Sequence, residues 1–150
     1  MISLLLLLVS GIGISSYFLF KDKINLLDVD HSAVDWNGKK QKDTSGEENT
    51  IAIPGFEKVT LYANETTQAV NFHNPEINDC YFKISLIHPD GSVLWISDLI
   101  EPGKGMYSIE LEKTLAVGEY ENAVLKYECF SLNDQSPLNG SEINLKLVVV

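Results

Sequence analysis

Three patterns of apolar and polar positions divide the chain. Ile2 to Phe20 is an apolar run without a charged side chain, about the length one helix needs to cross a hydrocarbon core. Lys21 to Thr50 is polar, rich in Asp, Lys, Ser, Gly and Asn. From Ile51 to Val150 the dominant period is two, the mark of strands with one buried face. Phe82, Ile84 and Leu86 form one candidate core set; Ala123, Leu125, Tyr127 and Cys129 form a second; Ile143, Leu145, Leu147 and Val149 form a third. Turn residues punctuate the pattern at Pro54-Gly55, Asn74-Pro75, His88 to Gly91, Pro102 to Gly105, Val117-Gly118 and Pro137 to Gly140.

These signals predict strands near Ile51–Ile53, Lys58–Ala63, Gln68–His73, Cys80–Ile87, Ser92–Ser97, Met106–Leu111, Glu119–Leu132 and Glu142–Val150. Such a series without an intervening helical pattern reads as an all-β, antiparallel sandwich. The domain plan is a transmembrane anchor or uncleaved signal over 1–20, a polar spacer over 21–50 and the β-sandwich over 51–150, which is about the size of one core. Within the spacer, Leu27 and Trp36 interrupt the polarity, and two readings stand for Ala33 to Gly38: an extra strand docked on the domain and held by Trp36, or disorder.

From Glu57 onward fourteen acidic residues face six lysines, a net of minus eight, so the domain is the acidic part of the chain. All eleven basic residues are lysines. Without arginine there is no bidentate fork for phosphates or guanine edges, and the expectation is no nucleic-acid partner. An acidic domain is repelled by anionic lipid, so the membrane partner is engaged through the N-terminal helix. That segment lacks the basic n-region and small-residue cleavage site of a secretory signal, which favours a retained single-pass anchor in the cell membrane. Lys21 and Lys23 after the run point to a cytoplasmic domain by the positive-inside rule, whereas the cysteines favour an extracytoplasmic one, and the second reading is preferred.

Leu115-Ala116-Val117-Gly118-Glu119-Tyr120 resembles the L-x-x-G-x-Y tyrosine corner of immunoglobulin-like and fibronectin-like sandwiches, carried here by Leu115, Gly118 and Tyr120. The resemblance implies a Tyr120 hydroxyl bonded to backbone just upstream. Because Tyr120 and the Ala123 set differ in parity, it also requires a bulge or bend near Glu121 and Asn122. Two departures separate the chain from antibody domains: the second cysteine lies nine residues after Tyr120 rather than two, and Trp95 lies fifteen after Cys80. As a whole, the domain is similar to small, N-terminally membrane-anchored surface proteins of unknown function from Gram-positive bacteria. That similarity implies a class and no activity.

Cys80 and Cys129 fall on the apolar faces of two core strands. Their even number favours an inter-sheet disulfide closing a loop of about fifty residues, which would stabilise by roughly 4 kcal/mol; the other reading is two buried thiols packed as small apolar groups. Asp28-Val29-Asp30-His31-Ser32 begins like a calcium loop but has Ala33 where glycine belongs and Lys39 at the bidentate acid, so no metal or cofactor is expected. His31, His73 and His88 are scattered and read as exposed. No nucleophile elbow occurs, and the chain does not read as an enzyme. Tyr62, Tyr81, Tyr107 and Phe130 lie opposite the core parity and form a possible binding face. The expected function is a membrane-anchored extracytoplasmic module contacting protein or glycan without catalysis; the alternative is a structural accessory subunit of a membrane-bound assembly.

Overall fold

A computed structural model describes residues 26–38 and 50–150, so the expected anchor and much of the spacer lie outside the described residues. Among the described residues no helix is long and apolar enough to cross a membrane. The strands are β1 (Val34–Asp35), β2 (Lys58–Leu61), β3 (Thr67–His73), β4 (Cys80–Ile87), β5 (Val93–Ile96), β6 (Lys104–Glu110), β7 (Gly118–Ser131) and β8 (Pro137–Val149). They form two sheets, a three-stranded one in the order β1-β6-β3 and a five-stranded one in the order β2-β8-β7-β4-β5. The pairings are antiparallel except β2 with β8, which is parallel and corrects the purely antiparallel expectation.

The core follows the predicted parity, because each alternating set puts its apolar members toward the opposite sheet. Phe82, Ile84, Leu86, Leu125, Tyr127, Leu145 and Leu147 are buried. Phe72 of β3 closes the space between the sheets, its ring centroid 5.8 Å from that of Trp95 and 5.4 Å from that of Phe56. The expected strand at Ile51–Ile53 is instead an irregular segment. Ala52 donates to Asn78 Oδ1 at 2.8 Å and accepts from Asn78 Nδ2, so a side chain supplies the bonds a neighbouring strand would have supplied.

The Pro137 to Gly140 turn is also corrected. The turn lies at 132–136, where Gln135 takes φ +55° and Asp134 Oδ1 accepts from the Ser136 amide, and Pro137 opens β8. Proline is tolerated at the first residue of a strand, so its turn signal misled by a few positions. Gly140 serves a bulge: a Cβ there would overlap the Tyr127 carbonyl oxygen, where the β7–β8 register shifts between Tyr127 and Cys129.

The registers define two ends of the sandwich. Cys80 pairs with Ser131, and the Asn74 side chain bonds the carbonyls of Cys80 and Ile100. The β3–β4 loop, the β7–β8 turn and the start of β6 therefore share one end. Gly118 pairs with Val149, which places Val117 and the chain terminus at the opposite end.

Candidate functional site

The site is built by the segment 26–38, which adds itself to the three-stranded sheet. Its path starts at the β7–β8 turn, where Leu27 donates to Gln135 Oε1 at 2.6 Å and accepts from Gln135 Nε2 at 3.0 Å. It continues through the Val29–Leu99 bridge, and Val34 and Asp35 then pair with Gly105 and Lys104 of β6. Of the two readings for Ala33 to Gly38, docking is the one observed.

Trp36 reaches across β6 to β3. Its indole stacks on His73 with ring centroids 3.8 Å apart and planes 8° from parallel, and its Nε1 donates to Asn71 Oδ1 at 2.7 Å. The crossing depends on Gly105, where a Cβ would sit 2.8 Å from Trp36 Cδ1 and 2.9 Å from the Phe72 carbonyl oxygen. Gly38 covers the indole in turn, since a Cβ there would lie 2.9 Å from three of its atoms. Asn37 fixes the far side of the strap through its amide and side-chain oxygen, both bonded to the Tyr107 hydroxyl at 3.0 Å.

Between this strap and the β3–β4 loop lies a cleft of about 490 Å³, lined by Trp36, Asn37, His73, Glu76, Ile77 and Pro102 among others. Ile77 is 71% exposed at the rim. Asp35 also lines it, and a hydrogen bond from Lys104, with its charge, holds the Asp35 carboxyl below the usual carboxylate range while raising the Lys104 ammonium. A half-buried aromatic, proline rings, an isoleucine and a few polar groups offer apolar contact with hydrogen-bonding points, the make-up of a binding cleft. Among the described residues no cluster of three or more His, Cys, Asp or Glu could hold a metal ion.

The other sequence-derived candidates separate. The Tyr120 hydroxyl donates to the Ala116 carbonyl at 2.8 Å, Leu115 is buried beneath the corner, and Gly118 starts β7. The β7–β8 register shifts between Tyr120 and Ala123, with Asn122 at φ +61°. The four aromatics do not make one face. Tyr81 and Phe130 are directly opposite on β4 and β7, Tyr107 belongs to the other sheet and binds the strap, and Tyr62 lies beyond β2.

The cysteine expectation is corrected in its geometry. Cys80 and Cys129 sit on adjacent strands of one sheet, diagonal in register, and are buried free thiols. An inter-sheet bridge needs one cysteine on each sheet. Here β4 neighbours β7, so the pair spans a single ladder. The Cys129–Cys80 hydrogen bond, with burial, pushes the Cys129 thiol up, and the same bond holds Cys80 down. Asp30 is absorbed by bonds from Ser32 nearby and from the Asp98 amide across the fold.

His73 was expected to be exposed and is 2% exposed. The β3–β6 register shifts between Ala69 and Phe72, so the simple parity of β3 fails there, and Trp36 covers the ring. Asn71, Glu76 and Ile77 carried no site expectation, and Gly105, expected in the Pro102 to Gly105 turn, lies instead inside β6. A glycine inside a strand signals close approach of another group, and Gly105 was the available clue. No family model, curated protein or solved structure matches the chain.

Proposed function

We propose that the chain is a membrane-anchored module that binds a protein or glycan without catalysis, and that the strap cleft is its binding site. The observation that carries this reading is the stacked Trp36–His73 pair, with its amide and carboxylate rim, set in a cleft of ligand size. An immunoglobulin-like relationship is supported by the parallel β2–β8 pair at one sheet edge and by the Tyr120–Ala116 bond at the start of β7. The anchor rests on the uncharged apolar run before Lys21.

The side of the membrane is read from the cysteines in cells. A pair bonded in cells marks the oxidising exterior, the side preferred here, and two free thiols in cells would accord with Lys21 and Lys23 and a cytoplasmic domain. A structural role in a membrane-bound assembly is the second reading. It is favoured by β3, whose side away from β6 has no strand against it among the described residues.

The test is a screen of the full chain in lipid nanodiscs on glycan and peptide arrays. Ligands of the cleft should lose at least tenfold affinity in Glu76→Gln or Ile77→Ser while the melting temperature stays within a degree or two. Retained affinity in both variants removes the cleft from the site. Co-purification of a stoichiometric membrane subunit instead favours the assembly reading.

A further inference from the structure

The clip between Leu27 and Gln135 fixes which end of the sandwich meets the membrane. Five residues, Lys21 to Asn25, separate the end of the apolar run at Phe20 from Leu26. Even fully extended, that stretch spans only about 20 Å. Leu27, one residue further on, is bonded to the β7–β8 turn, so the turn lies within about 25 Å of the point where the chain leaves the bilayer.

The tethered end carries five exposed apolar side chains. Leu26 and Leu27 lie at the clip, Leu132 and Leu138 flank the turn, and Ile77 tips the β3–β4 loop. Leu26 is 60% and Ile77 71% exposed, and Val117 at the untethered end is as exposed as Ile77, so the tether and not exposure alone singles out this end. The carboxylates Glu76, Asp79 and Asp134 belong to the same end and disfavour an anionic surface.

Resting on the anchoring reading above, we infer that this end of the sandwich is seated on the bilayer, with Leu26, Leu27, Ile77, Leu132 and Leu138 in a zwitterionic lipid interface. Apolar side chains on a tethered domain gain by entering the interfacial layer, and the short link keeps them there at high local concentration. Ile77 also rims the cleft, so the cleft opens beside the lipid and whatever it binds is held at that surface.

The experiment uses the full chain in phosphatidylcholine vesicles containing headgroup-region nitroxide lipid. A bimane fluorophore is attached to Ile77→Cys, Leu138→Cys or Val117→Cys in separate variants; Cys80 and Cys129 are only 1% exposed and stay unlabelled in the folded protein. Bimane at 77 and 138 should be quenched at least threefold more than at 117 and show blue-shifted emission. Exchanging phosphatidylcholine for phosphatidylglycerol should shrink that ratio. Equal quenching at the two ends, or stronger quenching at 117, overturns the orientation while leaving the anchor intact. A chain that fails to float with the vesicles overturns the anchoring reading and this inference with it.

Discussion

The two sheets of the sandwich are built on different logic. The five-stranded sheet is held by long ladders, β7 with β8 and β7 with β4, whose alternating side chains fill one core. In the three-stranded sheet, one paired ladder between β3 and β6 is extended by a two-residue strand and overlaid by an aromatic strap. The first sheet is stabilised by burial repeated along its length. The strand addition on the second depends on a few specific contacts, chiefly Trp36 with His73 and Asn71 across Gly105. If the strap cleft is a binding site, it stands on the second kind of surface, the one held by the fewer contacts.

Phe82→Ala tests the first half of that contrast. The side chain is fully buried, edge-on to Tyr127 at 5.3 Å, and its loss should cost about 3 to 5 kcal/mol in chemical denaturation with a single cooperative transition. A cost under about 1 kcal/mol would show that the five-stranded sheet is not the stabilising unit. Gly105→Ala tests the second half. The new methyl meets both the indole and the Phe72 carbonyl, so a loss of roughly 2 kcal/mol is expected, with a red shift of tryptophan emission as Trp36 is displaced. Amide exchange in β7 and β8 should stay slow; if their protection collapses, the two sheets are one cooperative unit.

Tyr120→Phe sharpens the comparison within the five-stranded sheet. The ring still packs while the bond to Ala116 is lost, for about 1 kcal/mol by thermal melting, and an unchanged midpoint would make the bond energetically idle.

The smallest effect is electrostatic. Hydrogen bonds from the Ser92 side chain and backbone, together with His88, depress the Asp90 carboxyl, and bonds from Thr66 and Thr67 depress Glu110. A depressed folded-state pKa contributes stability that is present above the ordinary carboxylate range, about 4, and is lost as pH falls below it. The melting temperature should therefore fall on acidification from pH 5 to pH 2. Ser92→Ala should make that fall shallower, and an unaltered pH profile in the variant would rule Asp90 out as a contributor.

Much of the five-stranded sheet was legible because its strands obey one period over eight or more residues in β4, β7 and β8, long enough for parity to name the buried face. The corner at Tyr120 was legible because its side chain acts on backbone four residues away, a local arrangement that sequence spacing can encode. The cysteines show the limit of that reasoning. Parity put both thiols inward, but which strands become neighbours is set by chain topology, and that decides whether two inward thiols face across a core or lie along one ladder. The cleft was the least legible part. Its key contact joins Trp36 to His73, thirty-seven positions apart, and depends on the absence of a side chain at Gly105 and a register shift in β3. Neither feature leaves a periodic trace.

The clip at Gln135 also has a mechanical side. If the cleft holds a partner, a pull on it enters the protein at Trp36, and the lead-in begins at Leu26, ten residues earlier in the chain. If the tether is fixed in the bilayer, tension between those points runs along the lead-in segment and is borne first by the two Gln135 bonds and the short β1 pairing. The long β7–β8 ladder lies off that line of force. The weak sheet would yield first under load while the strong one stayed folded, making the strap the protein's mechanical fuse.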